Sequence, residues 1–407
     1  MSGSPQQPAT AQTTGRSVVV FSDDVHLDRV AMTAALRSLA EVATVVATSD
    51  ADDGALDGDA LASADVITFD ALGVAVVARE PGELAASLAA TGAGAGIVSV
   101  EPEHVLHAIV VEQPAARAEF SDDDAFTWGL RATRVDASSA TGQGIRIAVL
   151  DTGLDFAHPD FAGRAITSRS FVTGLPVDDG HGHGTHCAGT AAGPARPGQG
   201  RRYGIASQAT LFVGRVLDDS GAGADAGILA GIDWAITNGC RIISLSLGGD
   251  VRTVSTAYET VGRRALAAGA LIVAAAGNNA DRRRGDPGFV GIPANSPSIM
   301  AVAAVDSDLR IAEFSAAGNP VAGGAVDLAA PGVAVYSAWP MPRRTNTISG
   351  TSQATPHVAG IAALWSQVTG DTANALWATV VGAARRLDLP AADAGAGLVQ
   401  APGSASL

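Results

Sequence analysis

The chain has 407 residues, a formal net charge of −15 (41 acidic against 26 basic), 47% hydrophobic residues and 2 Cys. The apolar fraction can build a sizeable core, which excludes wholesale disorder, and two cysteines cannot form a disulfide framework. The acidic balance speaks against nucleic acid as a partner, because phosphate-binding surfaces are usually basic, and no apolar run reaches the roughly 18 residues that span a bilayer.

In chain order, residues 1–16 (MSGSPQQPATAQTTGR) read as a disordered tail of Ser, Gln, Thr and Pro. This start lacks a charged segment followed by an apolar stretch, so no secretory leader is visible. The expected location is the cytoplasm as encoded, or outside the cell if a leader is missing or export takes another route. Residues 17–111 carry a small α+β pattern. SVVVF (17–21), VATVVAT (42–48), VITFDALGVAVVA (66–78), IVSVEP (97–102) and VLHAIVV (105–111) read as strands, around helical spacing at 27–40 and 81–91. An acidic Gly/Asp loop is expected at 50–59. The order β-α-β-β-α-β predicts a ferredoxin-like module.

Residues 112–127 (EQPAARAEFSDDDAFT) mix Pro, Ala and an acidic run, which predicts an exposed linker open to proteolysis. From Trp128 to residue 407, short continuous apolar runs alternate with helical patterns: RIAVL (146–150), ATLFVGRVL (209–217), IISLSL (242–247), ALIVAAAG (270–277) and IMAVAAV (299–305). Such alternation predicts an α/β domain of three layers, a mostly parallel central sheet covered by helices on both faces.

Three segments of this region carry chemistry. In IAVLDTGLDF, Asp151 closes a buried strand, where open α/β sheets collect catalytic groups, although a turn Asp reads the same way alone. In DDGHGHGTHCAGT (178–190), His181, His183 and His186 sit among small residues. Zinc is the obvious rival reading, yet the spacing matches no recognised ligand set. In TISGTSQATPHVAG (347–360), Ser352 stands at a loop-to-helix entry with Pro356 in the first turn, which is also where an N-cap serine would stand. Taken together, Asp then His then Ser on an α/β sheet is the chain order of the subtilisin triad.

The motifs D-T-G at Asp151, H-G-T-H-C-A-G at His183, A-A-G-N at Asn278 and G-T-S-x-A-T-P-H-V-A-G at Ser352 together resemble the subtilisin-like serine proteases, the subtilases. The likeness runs from about Trp128 to 395–401, and Cys187 with YGIASQATLFVGRVLDD (203–219) leans toward the proteinase K side. It implies a serine endopeptidase with Ser352 as nucleophile, His183 as base, Asp151 as its orienting partner and Asn278 as oxyanion donor. It also implies that Ser246, Leu247 and Gly248 face Gly221, Ala222 and Gly223 across an extended peptide, and that Gly291 floors a pocket for a large apolar side chain before the cut. Residues 17–111 resemble the family's inhibitory pro-domain, cleaved off between about 110 and 127.

The implied partners are protein or peptide substrates and the chain's own pro-domain, with no nucleic acid or membrane, in a monomer. The chemistry needs no cofactor. The same acyl-enzyme could also serve peptide ligation, and a peptide-binding scaffold without catalysis is the rival from another class. Several positions depart from the family's pattern. Gln353 stands where Met is common after the nucleophile. Asp160 matches a structural calcium ligand, but its companion loop, GPARPGQGRR (193–202), holds no Asp or Asn. Cys187 reads as a packed thiol not bonded to Cys240, and Arg282, Arg283 and Arg284 read as a solvated loop.

Overall fold

Strands whose residues are apolar at every position need cover on both faces, and the N-terminal region obtains it from two sources. A computed structural model of the chain describes residues 12–26, 28–39, 44–51, 56–91, 96–108, 110–111, 119–319 and 324–403. It contains β1 (Thr13–Phe21), α1 (Arg29–Leu39), β2 (Val45–Ala47), α2 (Gly58–Ser63), β3 (Val66–Phe69), β4 (Val74–Val77), α3 (Pro81–Thr91) and β5 (Ile97–His107). The sheet order is β2-β3-β4-β1-β5. β1 runs antiparallel to β4 and β5, and β3 to β4, which is the ferredoxin-like arrangement with β2 added at the edge. Val19, Phe21, Val66 and Val77 pack against Met32, Leu36 and Leu84 of the module's own helices. Their neighbours Val18, Val20, Ile67, Val74 and Val76 share a second core with Trp234, Tyr258 and Val261 of the C-terminal region.

The structure differs from the expected boundaries in several places. Residues 13–16 of the expected tail are strand, held because Arg16 pairs at 2.7 Å with the buried Glu103; residues 1–11 lie outside the described residues. The strands expected at 97–102 and 105–111 are one strand that ends at His107. Its polar interruptions, the half-buried Glu101 and the buried Glu103, are contacts rather than a loop. The expected acidic loop contains α2, capped where the Asp57 carboxylate accepts from the Ala60 amide. Of the expected linker, 112–118 lies outside the described residues. Within 119–127, Glu119, Ser121, Asp122, Asp124 and Ala125 are exposed, while the Phe120 amide donates to Ser307 O and the Thr127 amide to Arg202 O, and Phe120 packs beside Trp128.

The C-terminal region contains α4 (Trp128–Ala132), β6 (Arg146–Asp151), β7 (Ile166–Ser170), α5 (His183–Ala192), β8 (Thr210–Arg215), β9 (Ala222–Ala224), α6 (Asp225–Thr237), β10 (Ile242–Leu245), α7 (Thr256–Ala267), β11 (Leu271–Ala275), β12 (Met300–Val305), β13 (Leu328–Pro331), β14 (Val335–Ala338), β15 (Thr345–Ile348), α8 (Thr351–Thr369) and α9 (Ala373–Gly382). Seven strands form a wholly parallel sheet in the order β13-β12-β11-β10-β6-β8-β7. The chain builds outward in both directions from the β6–β10 junction, the switch point where α/β sheets open a crevice. α5 and α8 pack on one face, α6 and α7 on the other. Among the described residues no helix is long and apolar enough to cross a membrane.

The N-terminal module grips α6 and α7 by their ends. Glu103 accepts from the Ala226 amide at 3.0 Å, and Glu101 accepts from the Thr256 amide and the Ser255 hydroxyl at 2.8 and 2.7 Å. Each carboxylate thereby meets the positive end of a helix. From α7, Arg264 donates to the carbonyls of Gly73 and Phe21 at 2.9 and 2.7 Å. Burial, opposed by hydrogen bonds from Thr48 and Ala71 and helped by Asp70, pushes Asp233 up to about 7. Burial disfavours charge on His104, but Asp225, Glu101 and Glu103 outweigh it and raise its pKa above 6.5. Both groups hold protons when the module is docked that they lose more readily once exposed. The contribution of these two groups to docking is therefore present in mildly acid solution and is lost as pH rises through about 7. In a Ser352→Ala chain nicked within 112–118, calorimetry of the separated halves rejoining at about pH 6 should register uptake of about one proton. Zero uptake, or release, contradicts this docking chemistry.

Candidate active site

Asp151 ends β6 and His183 begins α5, and the two helix-and-strand ends are brought together backbone to backbone. A Cβ on Gly184 would stand 2.3 Å from Gly153 O, and one on Gly153 2.2 Å from Val177 O, so only glycine serves at either position. The Thr152 hydroxyl accepts from the Gly184 amide at 2.8 Å and donates to Asp179 at 2.8 Å. Asp179 also accepts from the amides of His181, Gly182 and Thr185 at 3.0, 2.7 and 2.8 Å, folding the loop into the first turn of α5. The result is a bond of 2.8 Å between His183 Nδ1 and Asp151 Oδ1, fully buried. Burial disfavours a charged imidazole, yet the Asp151 carboxylate outweighs it and holds the His183 pKa well above its usual value.

Ser352 lies in the first turn of α8 and is buried. Its hydroxyl donates to Ser246 O at 2.9 Å, and the Ser246 hydroxyl donates to Ser352 O at 2.8 Å, a reciprocal clamp between α8 and the end of β10. Asn278 follows β11. Its Oδ1 accepts from the Thr351 amide and hydroxyl at 2.9 and 2.8 Å, which turns the amide nitrogen away from Thr351. Cys187 is fully buried under the site, its Sγ 3.8 and 4.0 Å from the two ring nitrogens of His183 and 3.6 Å from Ser352 O. Both cysteines are free thiols, and they belong to the cores on opposite faces of the parallel sheet. The three clustered histidines do not converge on one point: His186 Nε2 is bonded to Val335 O at 3.0 Å, and burial holds its pKa at about 3. Among the described residues, the one group of potential metal ligands is Asp151, His183 and Cys187.

A cleft runs past Ser352, and a segment of the same chain lies in it. Val105, Leu106 and His107 pair antiparallel with Ala224, Gly223 and Ala222 of β9, and the Ala108 amide donates to Gly221 O at 2.8 Å. On the other side His107 and Gly248 exchange both main-chain bonds, at 2.9 and 3.0 Å. Residues 105–108 thus lie between Gly221–Ala224 on one side and Gly248 on the other. Gly291 lines a narrow recess with Leu247, Gly248, Ala276 and Gly277 that is too tight to hold a water molecule, and a Cβ there would meet Gly249 O at 2.2 Å.

Other positions take quieter roles. Arg282 bonds Ser315 O and pairs with Asp393, whereas Arg283 and Arg284 are exposed. Gln353 is buried beside the nucleophile. Asp160 accepts from the Gly198 amide at 2.8 Å and the Tyr203 hydroxyl at 2.6 Å, with Arg344 at 3.9 Å. Sequence reading passed over Asp179 and Arg344. The signal for Asp179 was available in DDGHGHGT, an Asp ahead of a helix start; nothing local marks Arg344.

The description "Subtilase family" matches the chain over residues 142–399. Subtilisin E of Bacillus subtilis (strain 168) is 38% identical over 270 residues, 66% of this chain and 65% of that protein. Subtilisin of Bacillus pumilus is 41% identical over 237 residues, 58% of this chain and 81% of that one. Alkaline serine protease ver112 of Corniculantispora psalliotae is 37% identical over 266 residues, 61% and 63% of the two chains. The chain therefore spans just under two thirds of subtilisin E.

Burial raises the Cys187 thiol above its usual range, so alkylating reagents should label it slowly. A mercuric ion that reaches this sulfur must crowd the His183 ring. Mercuric chloride should abolish any activity of this site, and Cys187→Ala should confer resistance; equal sensitivity of the two proteins contradicts the placement.

Proposed function

The chain belongs to the subtilase family, and from that premise we propose that it is a serine endopeptidase made as a self-processed precursor. What carries this reading is the extended peptide of residues 105–108 lying between two substrate-like strands, with Ser352 at its end and the buried Asp151–His183 pair behind. Rotation about the Ser352 Cα–Cβ bond turns the hydroxyl from Ser246 O toward His183. His183 takes the hydroxyl proton as Oγ attacks the substrate carbonyl, and delivers it to the departing amine. Asp151 fixes the imidazole tautomer and stabilises the cation that forms. The Asn278 amide nitrogen and the Ser352 backbone N–H stabilise the oxyanion. Water then cleaves the acyl-enzyme.

Substrate affinity comes from main-chain pairing with Gly221–Gly223 and Ser246–Gly248, which carries little sequence preference. Gly291, at the position that matches the floor of the family's pocket, supports a preference for a large apolar side chain before the cut. The N-terminal module is the inhibitor of the same cleft, and the chain acts as a monomer. Ser352→Ala should abolish hydrolysis of an unfolded protein substrate while leaving the fold intact. Asn278→Ala should lower kcat by about 10²–10³, a magnitude taken from removal of the equivalent donor in subtilisin. Full turnover in either variant contradicts the reading.

Asp160 we read as ion-paired rather than calcium-bound. Two hydrogen-bond donors and a guanidinium surround its carboxylate, whereas a calcium site needs several oxygen ligands. Asp160→Asn should lower the melting temperature equally in calcium and in chelator; a loss confined to calcium-containing buffer contradicts this.

A further inference from the structure

We propose that the bond cut in maturation is Ile109–Val110, upstream of the 112–127 segment whose composition suggested the processing site; this rests on the protease reading above. His107 and Gly248 exchange both main-chain hydrogen bonds. In an antiparallel pair such closed pairs recur every second residue along each strand. Two residues from Gly248 toward the nucleophile is Ser246, whose carbonyl accepts the Ser352 hydroxyl at 2.9 Å. Two residues on from His107 is position 109. Ile109 itself lies outside the described residues, so the count rests on its flanks.

Those flanks bracket the nucleophile. On one side, the Ala108 amide is bonded to Gly221 O at 2.8 Å; on the other, the Val111 amide is bonded to Ser349 O at 2.9 Å. Ser349 stands three residues before Ser352, so by Val111 the chain has already passed the hydroxyl. Leu106 is fully buried and fills the space over Gly249, where a Cβ would stand 2.8 Å from its Cδ2. That anchor opposes slippage of the register, since a one-residue shift would reverse which side chains are buried. The later residues are committed elsewhere, with the amides of Phe120 and Thr127 bonded to Ser307 and Arg202.

In the cut, Ser352 Oγ forms an ester with the carbonyl carbon of residue 109. The C–N bond to Val110 breaks, and the hydroxyl proton passes through His183 to the Val110 nitrogen. Water then splits the ester, leaving a carboxylate on residue 109 and restoring Ser352. The amine leaves on Val110, which becomes the new N-terminus.

The test is N-terminal and intact-mass analysis of the full chain through a time course after folding. The first new terminus should be Val110, matched by a complementary fragment that ends at residue 109, with Ser352→Ala remaining whole. Ile109→Asp should slow the appearance of that terminus at least tenfold, and Val110→Pro should abolish it, whereas Glu112→Pro should process at the wild-type rate. A first terminus between residues 112 and 127, or wild-type processing of both Ile109→Asp and Val110→Pro, overturns the assignment alone. A wild-type chain that neither processes nor hydrolyses peptide overturns it together with the protease reading.

Discussion

The 2.8 Å bond between Asp151 and His183 exists because two stretches of backbone approach more closely than any side chain would allow. Gly153 and Gly184 meet atom to atom where β6 ends and α5 begins, and Thr152 with Asp179 ties the two segments by buried hydrogen bonds. The proposed chemistry follows from that closure. It fixes the buried imidazole at the end of β6, next to β10 in the sheet, and α8 on the same face brings Ser352 against the end of β10. A larger residue at either glycine would separate strand from helix and leave the carboxylate and the ring buried apart, an unpaired charge that the interior tolerates poorly.

The N-terminal module uses the same crevice from the opposite direction. Its sheet is apolar on both faces because α1 and α3 cover one and α6 and α7 the other. Its last strand continues past that interface into the cleft, where it pairs with β9 and Gly248. One strand thus both anchors the module and lies in the cleft. The two carboxylates that interrupt the strand's apolar pattern, Glu101 and Glu103, are the groups that fix it on the helix ends.

How much of this was legible depended on whether the cause was local. β6, β8, β10, β11 and β12 could be read because strands buried on both faces are continuous apolar runs. β7, ITSRS, lies at the sheet edge with partly exposed residues, and so carries no such run. β13, LAAP, and the hairpin of β14 and β15 are four-residue strands without a periodic pattern. The motifs around Asp151, His183, Asn278 and Ser352 stood out because close backbone approach demands small residues around the reactive ones. What could not be read depended on distant partners. Glu103 looked like a break until the α6 N-terminus stood beside it. The sequence shows that the loop 193–202 lacks companion oxygen ligands for Asp160, but not that Arg344 and Tyr203 stand beside its carboxylate. Nor does the composition of 119–127 show that the amides of Phe120 and Thr127 bond to the carbonyls of Ser307 and Arg202.

The central claim is that the Ser352 hydroxyl is made nucleophilic by a buried imidazole aligned on Asp151. Covalent labelling by a fluorophosphonate, located by peptide mass analysis, measures that reactivity without requiring knowledge of the substrate. The account predicts stoichiometric modification of Ser352 in the processed protein, and loss of that modification in His183→Ala. Labelling of a different residue, or undiminished labelling of Ser352 without the imidazole, would contradict it.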